Sequence, residues 1–334
     1  MSQVVGRPET TAALLAALYG PVQAEMVEVE DMLRRELRSD DPFVDELAKY
    51  GFRISGKRLR PALVLLAAKS VDRATQDHIV LATVLEMIHT ATLVHDDVLD
   101  EAALRRHLDT VNARWSNEAS VLLGDYLFTH AFYLASTLET TYACRTIGRA
   151  TNIVCDGELR QVHHRGNLAL SEAEYLQIIE AKTAELTSCC CQLGAHYAGA
   201  TPEQEDRLSS FGRNLGIAFQ IADDLLDLEG DEHVAGKSLG TDLEKRKATL
   251  PLIRTLEQAD IAERQEISSL ILAEGGNHRT ELRAWIDRYE GLDYARRKAR
   301  FYADQAQADL STFADSDSID TLRGLTEFVV NRKQ

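Results

Sequence analysis

The sequence predicts an all-α fold, and three observations carry that expectation. Apolar residues recur at helical spacing, as in Leu14, Leu15, Leu18, Val22, Met26 and Val29. Helix starts are written in capping form at Ser171-Glu-Ala-Glu174 and Thr201-Pro-Glu-Gln204. No run alternates convincingly at period two, so no sheet is expected. At 334 residues the chain could hold two domains by length, yet no linker, low-complexity segment or repeat of fixed period divides it. A single domain over 1–334 is expected, with a core at about 40–260 and C-terminal helices at about 261–334.

In order, residues from about Glu9 to Arg38 form one or two amphipathic helices, and Asp41-Pro42 opens another. Ser55-Gly-Lys-Arg-Leu-Arg-Pro61 then leads into the apolar run Ala62 to Ala68. Pro61 suits a first helical turn, and Lys57 and Arg60 lie three apart on one side of that start. A helix N-terminus with two cations is a ready anion site; the plainer alternative is a surface basic knot. Leu85 to Arg106 begins as an apolar helix and runs into Asp96, Asp97 and Asp100, then Arg105 and Arg106. Val121 to Leu138 is an apolar helix interrupted by Asp125, and about Tyr142 to His163 forms another. Ser171 starts a helix carrying Lys182 and Thr183, and Thr201 starts one that ends in Asp223, Asp224 and Asp227. Gly236 to Lys247 is a basic loop, and further helices fill about Ala248 to Arg332, broken near Gly275-Gly276-Asn277 and Gly291.

Composition narrows the function classes. The 37 basic and 53 acidic residues give a net charge of -16, which argues against a nucleic-acid surface. The five cysteines, Cys144, Cys155 and Cys189 to Cys191, lack zinc-site spacing and any secreted disulfide pattern, so they read as reduced packing residues in a cytosolic protein. Glu9, Gly20 and Pro21 spoil the N-terminal apolar stretch as a signal peptide, and the uncharged run Leu186 to Pro202 is too polar to span a membrane. Gly230 to Ser238 approaches a nucleotide P-loop, but its spacer is five residues where four are needed and it follows a helix. His163-His164 reads as surface or core histidine in preference to a metal site.

The two acidic triads carry the chemistry. His89, Leu93, Asp96 and Asp100 form one helical stripe with Asp97 beside it, and Gly216, Gln220, Asp223 and Asp227 form another beside Asp224. Carboxylates late in a helix oppose its dipole, and a solvated acidic helix end would account for one such triplet. Two of them, each ending an apolar helix, can face one cavity. Six unpaired carboxylates could not be buried there, and oxygen-only ligands without clustered Cys or His point to magnesium and a metal-bound diphosphate.

With these residues in place, the chain resembles the trans-isoprenyl diphosphate synthases of the polyprenyl synthetase family, and the long-chain octaprenyl-type members in particular. The likeness runs from Gly-Lys-Arg-Leu-Arg-Pro at 56 to Phe-Val-Val-Asn-Arg at 328 to 332, with both Asp-Asp-x-x-Asp motifs in order and Phe219-Gln220 before the second. It implies an all-helical bundle around a deep central cavity, a homodimer, and condensation of isopentenyl diphosphate with an allylic diphosphate to a long-chain all-trans product. About three magnesium ions bridging the allylic diphosphate would be held by Asp96, Asp100 and Asp223, with Asp97, Asp224 and Asp227 close by. By the same resemblance Arg105, Lys182, Thr183, Gln220, Lys237 and Lys247 hold the allylic diphosphate. Lys57, Arg60, His89 and Arg106 match the isopentenyl diphosphate site. A cytoplasmic enzyme is implied, with transient membrane contact for product release and no nucleic-acid partner.

Ser55 and His107-Leu-Asp109 depart from the family pattern of glycine before Gly-Lys and of Gly-x-Pro after the arginine pair, which bears on local loop geometry. A class I terpene cyclase would replace the second triad by an Asn, Ser and Glu set that is absent at 223 to 227. A non-catalytic subunit of a heteromeric synthase would lose the acidic motifs, which are intact here. Ala91 and Thr92 are small where short-chain members carry a bulky aromatic, so with Ile88 below them they leave the tail path open. Phe128 or Phe132 on the neighbouring helix is expected to close it, and a farnesyl or geranylgeranyl diphosphate synthase is the runner-up.

Overall fold

The computed structural model describes residues 18–53, 56–229, 241–273 and 278–331. A 3-10 turn at Gly20–Val22 leads into α1 (Gln23–Glu36), α2 (Pro42–Arg53), α3 (Leu59–Val71) and the long α4 (Gln76–Leu99). A minimal hairpin follows, β1 (Leu104–Arg105) with β2 (Leu108–Asp109), then α5 (Val111–Arg114), α6 (Asn117–Ser136) and α7 (Tyr142–His163). Next come α8 (Glu172–Ile179), a π turn at Glu180–Ala184, α9 (Glu185–Tyr197) and α10 (Pro202–Glu229). The short α11 (Thr241–Glu244), α12 (Leu250–Gln258), α13 (Ile261–Leu272), α14 (Arg279–Arg288), α15 (Gly291–Asp309) and α16 (Asp317–Asn331) complete the chain.

The hairpin departs from the expectation of no sheet. Leu104 faces Asp109 and Arg105 faces Leu108, while Arg106 and His107 turn the corner with φ of 53° and 63°. Two successive left-handed residues match the twist of a tight hairpin. Strands of two residues are too short to leave an alternating pattern in the sequence.

α4 is central, packed against α1, α3 and α6. The side chains from Leu81 to Ile88 are buried without interruption. Thr83 and Thr90 enter this apolar surround because their hydroxyls donate back to the carbonyls of Ile79 and Glu86, each at 2.8 Å. Among the described residues α4 is the one helix long and apolar enough to cross a membrane, yet 72% of its apolar window is buried inside the protein, as in a core helix.

α9 is wedged between α3 and α10 by glycines. A Cβ on Gly194 would stand 2.3 Å from the Val64 carbonyl oxygen, and one on Gly212 would stand 2.5 Å from that of Thr187. Backbones therefore approach more closely than side chains would permit. Cys189, Cys190 and Cys191 lie buried on α9, all five cysteines are free, and burial pushes the Cys190 thiol up to about 12. α15 packs along α10, and Leu322, Leu325 and Val329 of α16 join Val22 and Val29 in one core.

Candidate active site

The first triad closes α4. Asp100 caps the helix with its backbone N–H on the Asp96 and Val98 carbonyls, and the chain turns at once into the β1–β2 hairpin. The hairpin folds Arg105 back onto Asp97, with Nε 2.9 and 3.1 Å from its two carboxylate oxygens and Nη2 2.7 Å from Oδ1. Asp97 is 1% exposed, and burial pushes its carboxyl above the usual range although Arg105 opposes the shift. Asp100 meets Arg165 at 3.0 Å, Lys245 at 3.2 Å and Lys247 at 3.5 Å. Burial alone would raise its pKa, but Lys247 and Lys245 more than offset this and hold it low.

Lys182 reaches Asp96 from the π turn. Its Nζ lies 3.6 Å from Asp96 and 2.6 Å from Glu158 of α7. Burial works against its charge, and Asp96 and Glu158 together outweigh that. The turn is a true π closure, with Glu185 N–H donating to the Glu180 carbonyl, and such turns often occur at functional sites. Gly157 makes room for it, since a Cβ there would stand 2.8 Å from both the Ala181 Cβ and the Lys182 nitrogen.

The second triad lies at the end of α10 and is wired to that turn. Thr183 Oγ1 donates to Gln220 Oε1 at 2.8 Å, and Gln220 Nε2 donates to Asp224 at 2.8 Å. The buried Tyr175 hydroxyl donates to the other Asp224 oxygen at 2.6 Å. Burial, with the charge of Asp242 adding to it, pushes the Asp224 carboxyl up to about 8. Asp227 accepts the Asp242 backbone N–H at 3.1 Å. Because Lys247 lies 3.6 Å from Asp242 and 3.5 Å from Asp100, it links the two triads.

No group of three His, Cys, Asp or Glu side chains among the described residues already forms a metal cage. The donor set still fits magnesium, which keeps waters and takes one or two carboxylates plus phosphate oxygens in place of an all-protein cage. The cations crowding Asp100 fit the anionic half of such a complex.

A second basic cluster lies beneath. Arg58, at the N-cap of α3 with φ of 54°, is pinned by Glu30 at 2.5 Å and by Glu86 at 2.8 Å. Arg60 points inward with its Nε buried and lacking a hydrogen-bond partner, as is Glu86 Oε2. Burial, with Arg60, Arg105, Arg106 and Arg58 around it, holds the His89 imidazole well below its usual pKa and therefore neutral. The Arg106 guanidinium overlies Gly56, where a Cβ would stand 2.8 Å from its Nη2.

The structure thus gathers Arg105, Lys182, Thr183, Gln220 and Lys247 about the two triads, and Arg60, His89 and Arg106 about one another. Lys57 differs from expectation: it precedes α3, is exposed, and lies 5.9 Å from the Phe328 ring, so it does not share a helical side with the inward Arg60. Lys237 and Ser55 lie outside the described residues. Sequence reasoning missed Glu158, Arg165, Tyr175, Asp242 and Lys245, which reach the site from other elements. Arg58 and Glu86 left a signal, one inside the basic motif and one a helical turn before His89. Ala91 and Ile88 are buried, Thr92 is half-buried, and Phe128 and Phe132 stack at 6.2 Å on α6.

The polyprenyl synthetase family matches residues 41–288. The octaprenyl diphosphate synthase of Escherichia coli (strain K12) is 36% identical over 310 residues, covering 92% of this chain and 96% of that protein. A decaprenyl diphosphate synthase structure from Rhodobacter capsulatus aligns with a TM-score of 0.90 at 35% identity, covering 96% of this chain and 99% of that one. A polyprenyl synthase from Caulobacter crescentus CB15, solved with calcium and isoprenyl diphosphate, aligns with a TM-score of 0.91 at 35% identity, covering 98% and 100% of the two chains.

Proposed function

This chain belongs to the polyprenyl synthetase family, and on that premise we propose how its residues divide the work. It is a transferase, a chain-elongating trans-prenyltransferase that condenses isopentenyl diphosphate with an allylic diphosphate to a long-chain all-trans polyprenyl diphosphate. The observation that carries the site assignment is the link through Lys247 and Asp242 from Asp100 of one triad to Asp227 of the other.

In the reaction the allylic carbon–oxygen bond breaks, the isopentenyl double bond attacks the allylic carbon, and a proton is lost to the departed diphosphate. Magnesium, about three ions per site, would be held by Asp96, Asp100 and Asp223, with Asp97, Asp224 and Asp227 close by, and would stabilise the charge on the leaving oxygens. Arg105, Lys182, Lys237 and Lys247 hold the allylic diphosphate. Arg105 is oriented by its two-oxygen pair with Asp97, and Lys182 by Glu158. The hydroxyl of Thr183 and the carbonyl of Gln220 steady the passing allylic cation from their shared hydrogen bond. Lys57, Arg60, His89 and Arg106 bind isopentenyl diphosphate, and the unpartnered Nε of Arg60 supports an anion there.

The growing tail passes down α4 beside Ala91, Thr92 and Ile88 until Phe128 or Phe132 closes the path. Each isoprene unit buries five carbons, about 4 kcal/mol as an upper bound, so elongation continues to that wall and gives about seven to ten units. One domain over 1–334 and a cytoplasmic homodimer complete the reading. Leu122 and Tyr133 of α6 and Leu159 of α7 are 65%, 63% and 70% exposed, apolar side chains that a second copy would cover. Product release then involves transient membrane contact. Incubating the purified chain with magnesium, isopentenyl diphosphate and farnesyl diphosphate, then chromatographing the dephosphorylated product, tests the function. Absence of product from the chain alone would overturn it, and a fifteen-carbon product would overturn the open tail path.

A further inference from the structure

Asp100 gathers three cations. Arg165 donates to its Oδ1 at 3.0 Å, and Lys245 and Lys247 reach its Oδ2 at 3.2 and 3.5 Å. Lys247 has a second carboxylate in reach, Asp242 at 3.6 Å. Three cations, one of them shared with Asp242, thus converge on the Asp100 edge of the acidic site, where basic side chains are concentrated although the chain as a whole has 37 basic against 53 acidic residues.

Arg165 has a feature that the two lysines lack. Its side chain is 31% exposed, yet its Nε is buried and finds no hydrogen-bond partner. Its contact with Asp100 uses Nη2 alone, so the planar fork that suits paired oxygens is half engaged. Its position is also fixed by the backbone. Gly166 N–H donates to the Arg246 carbonyl at 2.8 Å, which stitches the α7–α8 connection to the segment that carries Lys245 and Lys247. Three cations from two distant stretches of chain thus form one unit at the end of the first triad.

Resting on the proposed function, we propose that Arg165, with Lys245 beside it, binds diphosphate: its fork turns from Asp100 to the allylic and released diphosphate when a divalent ion takes that carboxylate. A divalent ion held by Asp100 would release Arg165 from that carboxylate, and the diphosphate would give the arginine a better acceptor. No part of this arrangement depends on Lys237 or on the Arg105–Asp97 pair.

Calorimetry on the full chain tests it, titrating inorganic diphosphate in excess magnesium and, separately, magnesium alone. Arg165→Gln is expected to weaken diphosphate about ten- to a hundredfold, the scale of a lost charge-assisted hydrogen bond, with Arg165→Lys recovering part. Magnesium alone is expected to bind Arg165→Gln as tightly as wild type or more so, because a competitor for Asp100 is gone. Wild-type diphosphate affinity in Arg165→Gln overturns the proposal and leaves the arginine as a counter-ion of Asp100. If wild type itself fails to bind magnesium diphosphate, the functional reading falls and this inference with it. Thermal unfolding of each variant is recorded alongside. Should Arg165→Gln not fold, Arg165→Lys and Lys245→Gln decide, with weakened diphosphate in both supporting the proposal and unchanged affinity in both overturning it.

Discussion

Gly157→Ala isolates the role of the π turn. The added Cβ would stand 2.8 Å from the Ala181 Cβ and the Lys182 nitrogen and 3.1 Å from the Ala181 carbonyl carbon, where ordinary contact begins at 3.4 Å. The turn must retreat by roughly 0.6 Å or more, and overpacking of this kind costs about 1–3 kcal/mol. Alanine returns about 1 kcal/mol of helix propensity, so the net loss is about 0–2 kcal/mol. At about 2.1 cal/mol/K per residue, a chain of this length has an unfolding entropy near 0.7 kcal/mol/K, and Tm should fall by up to about 3 °C. Activity should fall further, because Lys182 is aimed by contacts of 2.6 Å to Glu158 and 3.6 Å to Asp96. A displacement of that order corresponds to a ~10- to 100-fold loss in the rate of the first condensation, read in a single-turnover assay. Gly148→Ala on the same helix is the control, since its nearest neighbour would be the Phe132 ring at 4.0 Å, and it should raise Tm slightly. If Gly157→Ala instead keeps the wild-type rate and gains stability as Gly148→Ala does, Lys182 is not held by this packing.

Asp96→Asn or Asp223→Asn should lower turnover by orders of magnitude, each ~1.4 kcal/mol lost from the transition state being tenfold; most of the activity surviving in either would sink the two-triad mechanism. Arg60→Ala should raise KM for isopentenyl diphosphate ~10- to 100-fold through loss of a charge-assisted contact. A rise for the allylic substrate instead would show that the two sites are reversed. Ala91→Tyr should shorten the product to about fifteen or twenty carbons while the first condensation continues, each unit excluded forgoing about 4 kcal/mol of burial; an unchanged product distribution refutes the tail path. The depressed pKa of His89 has a definite sign. Below about pH 6.5 the unfolded chain binds a proton at this residue that the folded chain refuses, so stability should fall as pH drops from 6.5 toward the lower native value. His89→Gln should flatten that part of the pH–stability curve, and an unchanged slope would count against a neutral imidazole in the folded chain.

What the sequence made legible was local. Asp96 with Asp100, Asp223 with Asp227, and the capping boxes at Ser171 and Thr201 are spaced within one or two helical turns, so periodicity alone exposes them. The hairpin was hidden because its left-handed corner falls on Arg106 and His107 and not on the Asn-Gly or Gly pairs that announce such turns. Glu158 and Tyr175 were hidden for another reason. Their partners Lys182 and Asp224 lie 24 and 49 positions away, 182 - 158 and 224 - 175, on other turns of the fold, and no spacing rule connects them. Arg165 and Lys245 meet Asp100 from still farther along the chain, by way of a backbone bond between two loops.

The π turn behaves as a trapped dislocation. A π closure carries one more residue per turn than the α-helix around it, and a surplus of that kind can ordinarily migrate or be lost by sliding the helix in register. Neither end of this segment can slide. Upstream, the Ser171–Glu174 capping box fixes where α8 begins. Downstream, α9 is locked by Gly194 against the α3 backbone and by the Gly212 and Gly216 contacts against α10, each too close to tolerate a shifted side chain. The extra residue is therefore confined to the interval that carries Lys182 and Thr183, and their side chains leave the helix at an angle that a regular α-helix between the same two clamps could not offer both at once. Deleting one residue from 180–184 would anneal the helix and turn everything upstream by about 100° relative to α9, the rotation of one α-helical residue.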